Sequence, residues 1–349
     1  MDWQSSRTTS FRYMRVDRAT MTDVEQLDMI EDGGSITYDD LSAIKVSGSL
    51  PYIHMPDIGN DYIRVYSAHE QGGKVEEILH GTFTTATPTS TYSHKTRRGE
   101  LDMYSLLQIT QDAGITEPLT IPAGTVAVSR ASQYLTSLGL AVRADVSATQ
   151  VTTNPTYDAG TSYLEIINDL LAIAGFNSAG VDPSGAVILT AYTDPSTRAP
   201  SVVLRDDEEG CLFAPAVSHE FNLYEVPNVL IAVASSTDIN LVSVAKNNDP
   251  TSIYSTVSRG REIVLKEDAS DITEQGVLDA LAQRRLTEVS SAVESIEFSH
   301  PFLPYECGEA IQLRYTESGL DFTGVAVKKE LKLTPAIMCQ TRIRRFVRM

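Results

Sequence analysis

Apolar residues recur at three- and four-residue steps most plainly over residues 161–195. Leu164, Ile167, Leu170, Leu171 and Ala174 fall on one face of a helix. Ser162 and Glu165 stand at capping-box spacing, so each can satisfy a backbone N–H left free at a helix start. Gly175 supplies the left-handed residue that closes such a helix. Asp182-Pro183-Ser184-Gly185 has turn chemistry, and residues 186–192 are a short β-rich run. The spacing predicts a helix–turn–strand unit with extended chain on either side.

Before this unit the pattern is mostly strand. Residues 11–16 read as a first strand. Residues 36–48 mix polar and apolar positions around Leu41, Ile44 and Val46, with Gly48 and Pro51 as breakers. Residues 62–67 alternate, Glu70-Gln71-Gly72-Gly73-Lys74 reads as a hairpin loop, and residues 75–85 return as the partner strand. Residues 101–111 fit a last strand or a short helix. A helix is expected over 129–138, capped by Ser129 and buried through Ala131, Leu135 and Leu138, followed by a Thr/Ser-rich loop at 147–156.

After the unit, residues 200–212 open a second β-rich half. Its strongest strand is 229–235, an apolar run of the kind found deep in a sheet. Residues 258–261 suggest a turn before a strand at 262–266. Asp271 and Glu274 open a second helix with an apolar stripe of Leu278, Leu281, Ala282 and Val289. Strands at 310–316, 324–333 and 337–347 close the chain. The pairs of strands at 62–85 and 310–333 resemble each other weakly, with differing spacings. The fold class expected is mainly β with some α (α+β), in three domains: 1–122, an inserted α/β domain at 123–200, and 201–349, with 201–235 able to complete the first instead.

Charge changes the picture. The 349 residues carry a formal net charge of −18, with a pI near 4.7. Such a chain does not grip nucleic acid or anionic membranes by general attraction, because the long-range term is repulsive. Cys211, Cys307 and Cys339 are odd in number and far apart, which argues against a disulfide framework, and no CxxC pair suggests zinc or redox work. Residues 1–22 lack the apolar stretch of a signal peptide, and the longest apolar run, 229–234, is too short to span a bilayer. A soluble protein made in a reducing cytoplasm is expected.

Catalytic motifs are missing. There is no GxGxxG, P-loop, HExxH or GxSxG. His219-Glu220 begins like a metalloprotease helix, but Leu223 stands where the second histidine belongs. His54, His69, His80, His94, His219 and His300 show no ligand spacing. Asp206-Asp207-Glu208-Glu209 reads as a solvated loop or a calcium site. Asp57-Ile58-Gly59-Asn60-Asp61 reads as a polar turn, since it lacks the spacing and final glutamate of an EF-hand loop. Arg342, Arg344, Arg345 and Arg348 form the densest basic cluster, either a solvated β face or an ionic contact with an acidic partner. No residue is singled out as catalytic, cofactor-binding or metal-binding, and no cofactor is expected.

The order of these elements resembles the baseplate hub, or tail tip hub, proteins of tailed bacteriophages. The resemblance is carried by Ile78-Leu79-His80-Gly81-Thr82-Phe83, by residues 163–176 with Val181-Asp182-Pro183-Ser184-Gly185, by Pro227-Asn228-Val229-Leu230-Ile231, and by a C-terminal order of helix, Pro301, strand and Gly324 before the last two strands. It implies two tail-tube-like β-barrel domains flanking the insert. It also implies a homotrimer that presents six such domains around a channel, joining a sixfold tail tube to a threefold spike or central fibre. The implied partners are the tail tube or distal tail protein, the spike or central fibre protein, and the tape measure protein. DNA would transit the channel without specific binding, and the protein would sit in the virion after synthesis in the bacterial host cytoplasm. The chain ends with its final strands, leaving no room for the lysozyme or peptidase domain some hubs carry, so no enzyme is expected. A carbohydrate- or receptor-binding tail tip module is the alternative, then a cell-wall hydrolase. Trp3 as the one tryptophan counts against aromatic sugar platforms.

Overall fold

The computed structural model describes every residue except 4, 31–32, 94–95, 194–198, 207–212, 222–225, 236–239, 270–274, 290–291 and 348–349. The chain is mostly β, with strand making up 46% and few helices. No described helix is long and apolar enough to cross a membrane.

The elements run β1 (Thr8–Val16), β2 (Asp23–Gln26), β3 (Gly34–Asp39), β4 (Val46–Tyr52), β5 (Tyr62–Gln71), β6 (Lys74–Ser93), β7 (Thr96–Ser105) and α1 (Leu107–Asp112). There follow β8 (Leu119–Thr120), α2 (Ala127–Ser137), β9 (Val142–Ala144), β10 (Thr156–Tyr157), α3 (Tyr163–Ile173), β11 (Gly180–Val181), β12 (Val187–Leu189) and β13 (Val202–Arg205). Next are β14 (Val217–Phe221), β15 (Val229–Ser235), β16 (Asn240–Lys246), α4 (Thr256–Arg259), β17 (Val264–Asp268) and α5 (Gln275–Val289). The last four strands are β18 (Ala292–Pro301), β19 (Ala310–Tyr315), β20 (Leu320–Leu333) and β21 (Met338–Val347). They divide into two compact units. The first holds Met1–Pro215, Phe298–Phe322 and Ala326–Thr341; the second holds Ala216–Glu297, Thr323–Val325 and Arg342–Met349.

In the first unit the hydrogen-bonded strand order is β13-β19-β20-β3-β4-β7-β6-β5-β1-β2. The path is open, and no closed barrel is found among the described residues. Two-residue alternation sets its buried face. Thr9, Phe11 and Tyr13 point inward from β1, as do Ile63, Val65, Ser67 and His69 from β5. The β5–β6 hairpin turns on Gly72 and Gly73, at φ 57° and 77°, with Gln71 opposite Lys74. Positive φ at both central residues is the turn that matches strand twist, and glycine enters it without a Cβ clash.

Gly48 and Pro51 lie inside β4 and do not break it. A Cβ on Gly48 would sit 2.5 Å from the Ser35 carbonyl oxygen of β3, so this glycine is what lets the two strands pair. Residues 101–111 resolve into the end of β7 and then α1, so both alternatives occur in succession.

The insert follows the periodicity. Ser162 Oγ accepts from the Glu165 amide at 3.2 Å, and Leu164, Ile167, Leu170 and Leu171 are buried together with Val187 and Leu189 of β12. Ile166 is buried too. Gly175 takes φ 72°, and the Gly185 amide donates to the Asp182 carbonyl at 2.9 Å to close the turn. The preceding helix starts two residues earlier and ends one residue earlier than expected. It begins at Ala127 behind Val126, with Ser129 in its first turn and Leu138 only half-buried at its end. The Ala127 amide donates to the Thr149 carbonyl at 3.0 Å, so backbone from the Thr/Ser-rich stretch satisfies the helix start in place of a side-chain cap.

In the second unit β15 runs between β16 and β17. Leu230, Ala232, Ala234 and Ala245 bury one face of this sheet against Leu278, Ala282 and Leu286 of α5. Asn228 is fully buried; its side chain accepts from the Ile263 amide at 2.7 Å and donates to the Arg261 carbonyl at 2.9 Å. Asp271 and Glu274, expected to open α5, lie outside the described residues.

Candidate functional site

The most chemically loaded region lies inside the first unit, where polar side chains occupy inward positions of otherwise apolar strands. His69 and Ser67 continue the buried phase of β5. His80 owes its position to a β-bulge: Val65 pairs with Gly81 and Tyr66 with Leu79, leaving His80 as the extra residue. Lys329 takes the inward phase of β20 between Val327 and Leu331.

These groups form a connected chain. Thr9 Oγ1 lies 3.1 Å from His69 Nδ1, His69 Nε2 2.8 Å from Ser67 Oγ, and Ser67 Oγ 2.7 Å from His80 Nε2. The Tyr38 hydroxyl donates to the His80 carbonyl at 2.8 Å. Phe302 stacks on His69 with ring centres 5.3 Å apart and meets His80 edge-on at 5.4 Å. Lys329 Nζ donates to the carbonyls of Leu303 (2.9 Å) and Tyr305 (2.8 Å) and lies over the Phe302 and Tyr305 rings. His300 donates from Nδ1 to the Pro301 carbonyl, while its Nε2 faces the Tyr305 and Thr341 hydroxyls at 2.7 and 3.0 Å.

Burial controls the charge of these groups. It lowers His80 to about 3, with help from the Lys329 charge, and lowers His69 and His300 to about 4. All three rings are therefore neutral at pH 7. Burial also lowers Lys329 and raises the Cys307 and Cys339 thiols, to about 12 and about 11. Both cysteines are unbridged and stay protonated, which removes the thiolate that cysteine chemistry requires. Beside this chain lies a cavity of about 260 Å³, lined by Tyr38, His80, Cys307 and Lys329 and by apolar side chains such as Ile78 and Phe83.

The remaining candidates resolve individually. His54 is exposed, and His94 lies outside the described residues. His219 stands on a strand, where neighbours face opposite ways, and its Nε2 contacts Glu294 at 2.6 Å; Leu223 lies outside the described residues. Asp206 accepts from the Thr316 and Glu317 amides at 2.8 and 3.1 Å, while residues 207–209 lie outside the described ones. At 57–61 the Asp61 amide donates to the Ile58 carbonyl, and the Asp61 carboxylate meets Arg15 at 3.2 Å, which makes a polar turn. The arginines of β21 are largely neutralised within their own unit: Arg342 pairs with Glu297 at 2.8 Å and Arg345 with Glu294 at 2.6 Å. Arg348 and Cys211 are outside the described residues. No group of three or more His, Cys, Asp or Glu side chains that could hold a metal is found among the described residues. Trp3 packs edge-on against His69 and Phe302, at 5.0 and 5.7 Å. The buried chain was within reach of the sequence only through phase, since His69 and Lys329 share the parity of apolar neighbours.

No model of a known protein family matches the chain, and no curated protein matches its sequence. Solved structures do match. The tail protein from Neisseria meningitidis MC58 superposes with a TM-score of 0.71 at 14% identity, covering 98% of this chain and 97% of that one. The 43 kDa tail protein of prophage MuSo2 from Shewanella oneidensis gives 0.68 at 11% identity, covering 96% and 98%. A chain of a PdpA–VgrG complex gives 0.56 at 9% identity, with 99% of this chain covering 66% of that one.

Proposed function

We propose that this chain, which has the fold of phage tail proteins, is a structural hub of a phage tail tip or baseplate. It forms a homotrimeric ring that joins the sixfold tail tube to a threefold spike or central fibre, and DNA passes through its channel. The observation that carries this reading is the end-to-end match to two tail proteins, each covered almost completely. Fold alone does not fix function; that the matched structures are tail proteins supports a non-enzymatic role. The inward packing of Trp3 weighs against a sugar platform.

The working domain division is 1–122, 123–200 and 201–349, with the outer two as tube-like β-barrel domains. Three copies would then supply six around the channel, and closed symmetry lets one interface repeat without aggregation. The partners are the tail tube or distal tail protein on one side and the spike or central fibre protein on the other, with the tape measure protein inside. The likeness to a chain from a VgrG complex supports a spike-side neighbour. An image of the virion tail with this chain labelled tests the placement. Label at the tip is expected; label along the shaft or on the capsid would overturn it.

A further inference from the structure

Lys329 is a buried lysine with no carboxylate in contact; burial disfavours its ammonium form, and the charges of Glu306 and Glu309, which favour it, act only at longer range. Its side chain is almost fully enclosed, and its Nζ donates to two backbone carbonyls, at 2.9 and 2.8 Å. An ammonium has three donors, so one remains. No carboxylate oxygen among the described residues lies within 4.0 Å of it. Two half-buried cations of the same unit do have such partners, Arg64 meeting Asp23 at 2.8 Å and Arg15 meeting Asp61 at 3.2 Å, whereas half-buried Arg7, like Lys329, donates to backbone carbonyls instead. A buried charge without a counter-ion is costly, and two carbonyls and two aromatic faces only partly replace one.

Lys329 also lines the cavity of about 260 Å³, whose walls include Val46, Ile78, Phe83 and Val181. His80 shares that lining. Its Nδ1 has only a long 3.5 Å contact with the Tyr38 hydroxyl, whose proton goes to the His80 carbonyl instead. In the tautomer that carries hydrogen on Nδ1, the site offers a second donor. The lining also holds the carboxylates Asp39, Asp40, Asp182 and Glu306 against the two lysines Lys45 and Lys329, a balance that disfavours multiply charged anions.

We propose that this cavity binds a small monocarboxylate with an apolar tail, its carboxylate accepting the third N–H of Lys329 and its tail lying against Val46, Ile78 and Val181. A cavity of about 150 Å³ holds benzene, so this one accommodates an acid of about ten non-hydrogen atoms. Neither the site nor its test depends on the tail-tip reading.

The test is isothermal titration of the full chain at pH 7 with benzoate, and with inorganic phosphate and chloride as comparators. Lys329→Met removes the charge, and Val181→Trp narrows the cavity while keeping it; near-UV circular dichroism reports whether each variant is folded. The expected result is saturable one-to-one binding of benzoate, weakened at least tenfold in both variants, with no saturable binding of phosphate or chloride. A wild-type chain that takes up no benzoate would overturn the proposal, as would equal binding of all three anions. If Lys329→Met does not fold, Val181→Trp decides alone, and undiminished benzoate binding by it refutes the site.

Discussion

His69, His80 and His300 are enclosed as neutral rings, and that gives stability a pH dependence of definite sign. Their folded values, about 4, 3 and 4, lie below the ordinary 6.5. The unfolded chain therefore takes up protons first as pH falls, and the stabilisation, fully present above 6.5, is lost on the way down to the folded values. One unit below 6.5 each ring costs about 1.4 kcal/mol, so the three together remove about 4 kcal/mol between pH 7.5 and 5.5. Urea unfolding at the two pH values reads this directly. His69→Gln should shrink the difference by about one ring's share, about 1.4 kcal/mol, and an unchanged difference would show that His69 is solvated. Leu170 belongs to the same scale. It is fully buried, and Leu170→Ala should cost about 2–5 kcal/mol in urea unfolding, against a few tenths for a surface site. Its burial was legible in the sequence because the helical period runs through it. The burial of Lys329 was not, because a lysine on an inward phase reads as an ordinary surface residue until the carbonyls that hold it are known.

At the scale of elements, what could be read from the chain tracks how local the signal is. The helix at Tyr163–Ile173, its cap and its closing glycine all lie within one short window, and all were found. Strands β16 and β18 were missed for two different reasons. In β16 the buried positions are Ser243 and Ala245 while Val242 and Val244 are half-exposed, so hydrophobicity points away from the core. In β18 the alternation of Ile296, Phe298 and His300 is present but is mixed with a buried Glu294 whose partners, His219 and Arg345, come from distant segments. Gly48 read as a breaker because its reason is a carbonyl on another strand. Gly48→Ala should therefore destabilise by about 1–3 kcal/mol through overpacking, with faster amide exchange in β3 and β4; no loss of protection there would mean the strands can part at little cost. Ser162→Ala removes the cap of α3 and should cost about 1 kcal/mol, measured by thermal or urea unfolding.

At the scale of the whole molecule, the resemblance seen in short phrases of sequence corresponds to a fold shared over almost the full length of two tail proteins. Topology of this kind was beyond the sequence alone. Nothing local reports that β3 pairs with β20, nearly three hundred residues away, so that the N-terminal and C-terminal strands share one sheet within the first unit. The net charge of −18 per chain belongs here as well. Screening limits its reach to roughly 8 Å at physiological salt, so in the proposed ring it would favour DNA passage only where carboxylates face the channel. A potential map of the assembled ring should show an acidic wall, and a basic wall would end the sliding account without touching assembly. Whether the ring assembles is decided by native mass spectrometry of the chain with its tube and spike partners. A species holding three copies of the 38.1 kDa chain is expected. A chain that remains monomeric with both partners present, or closes into a ring of another number, would contradict it.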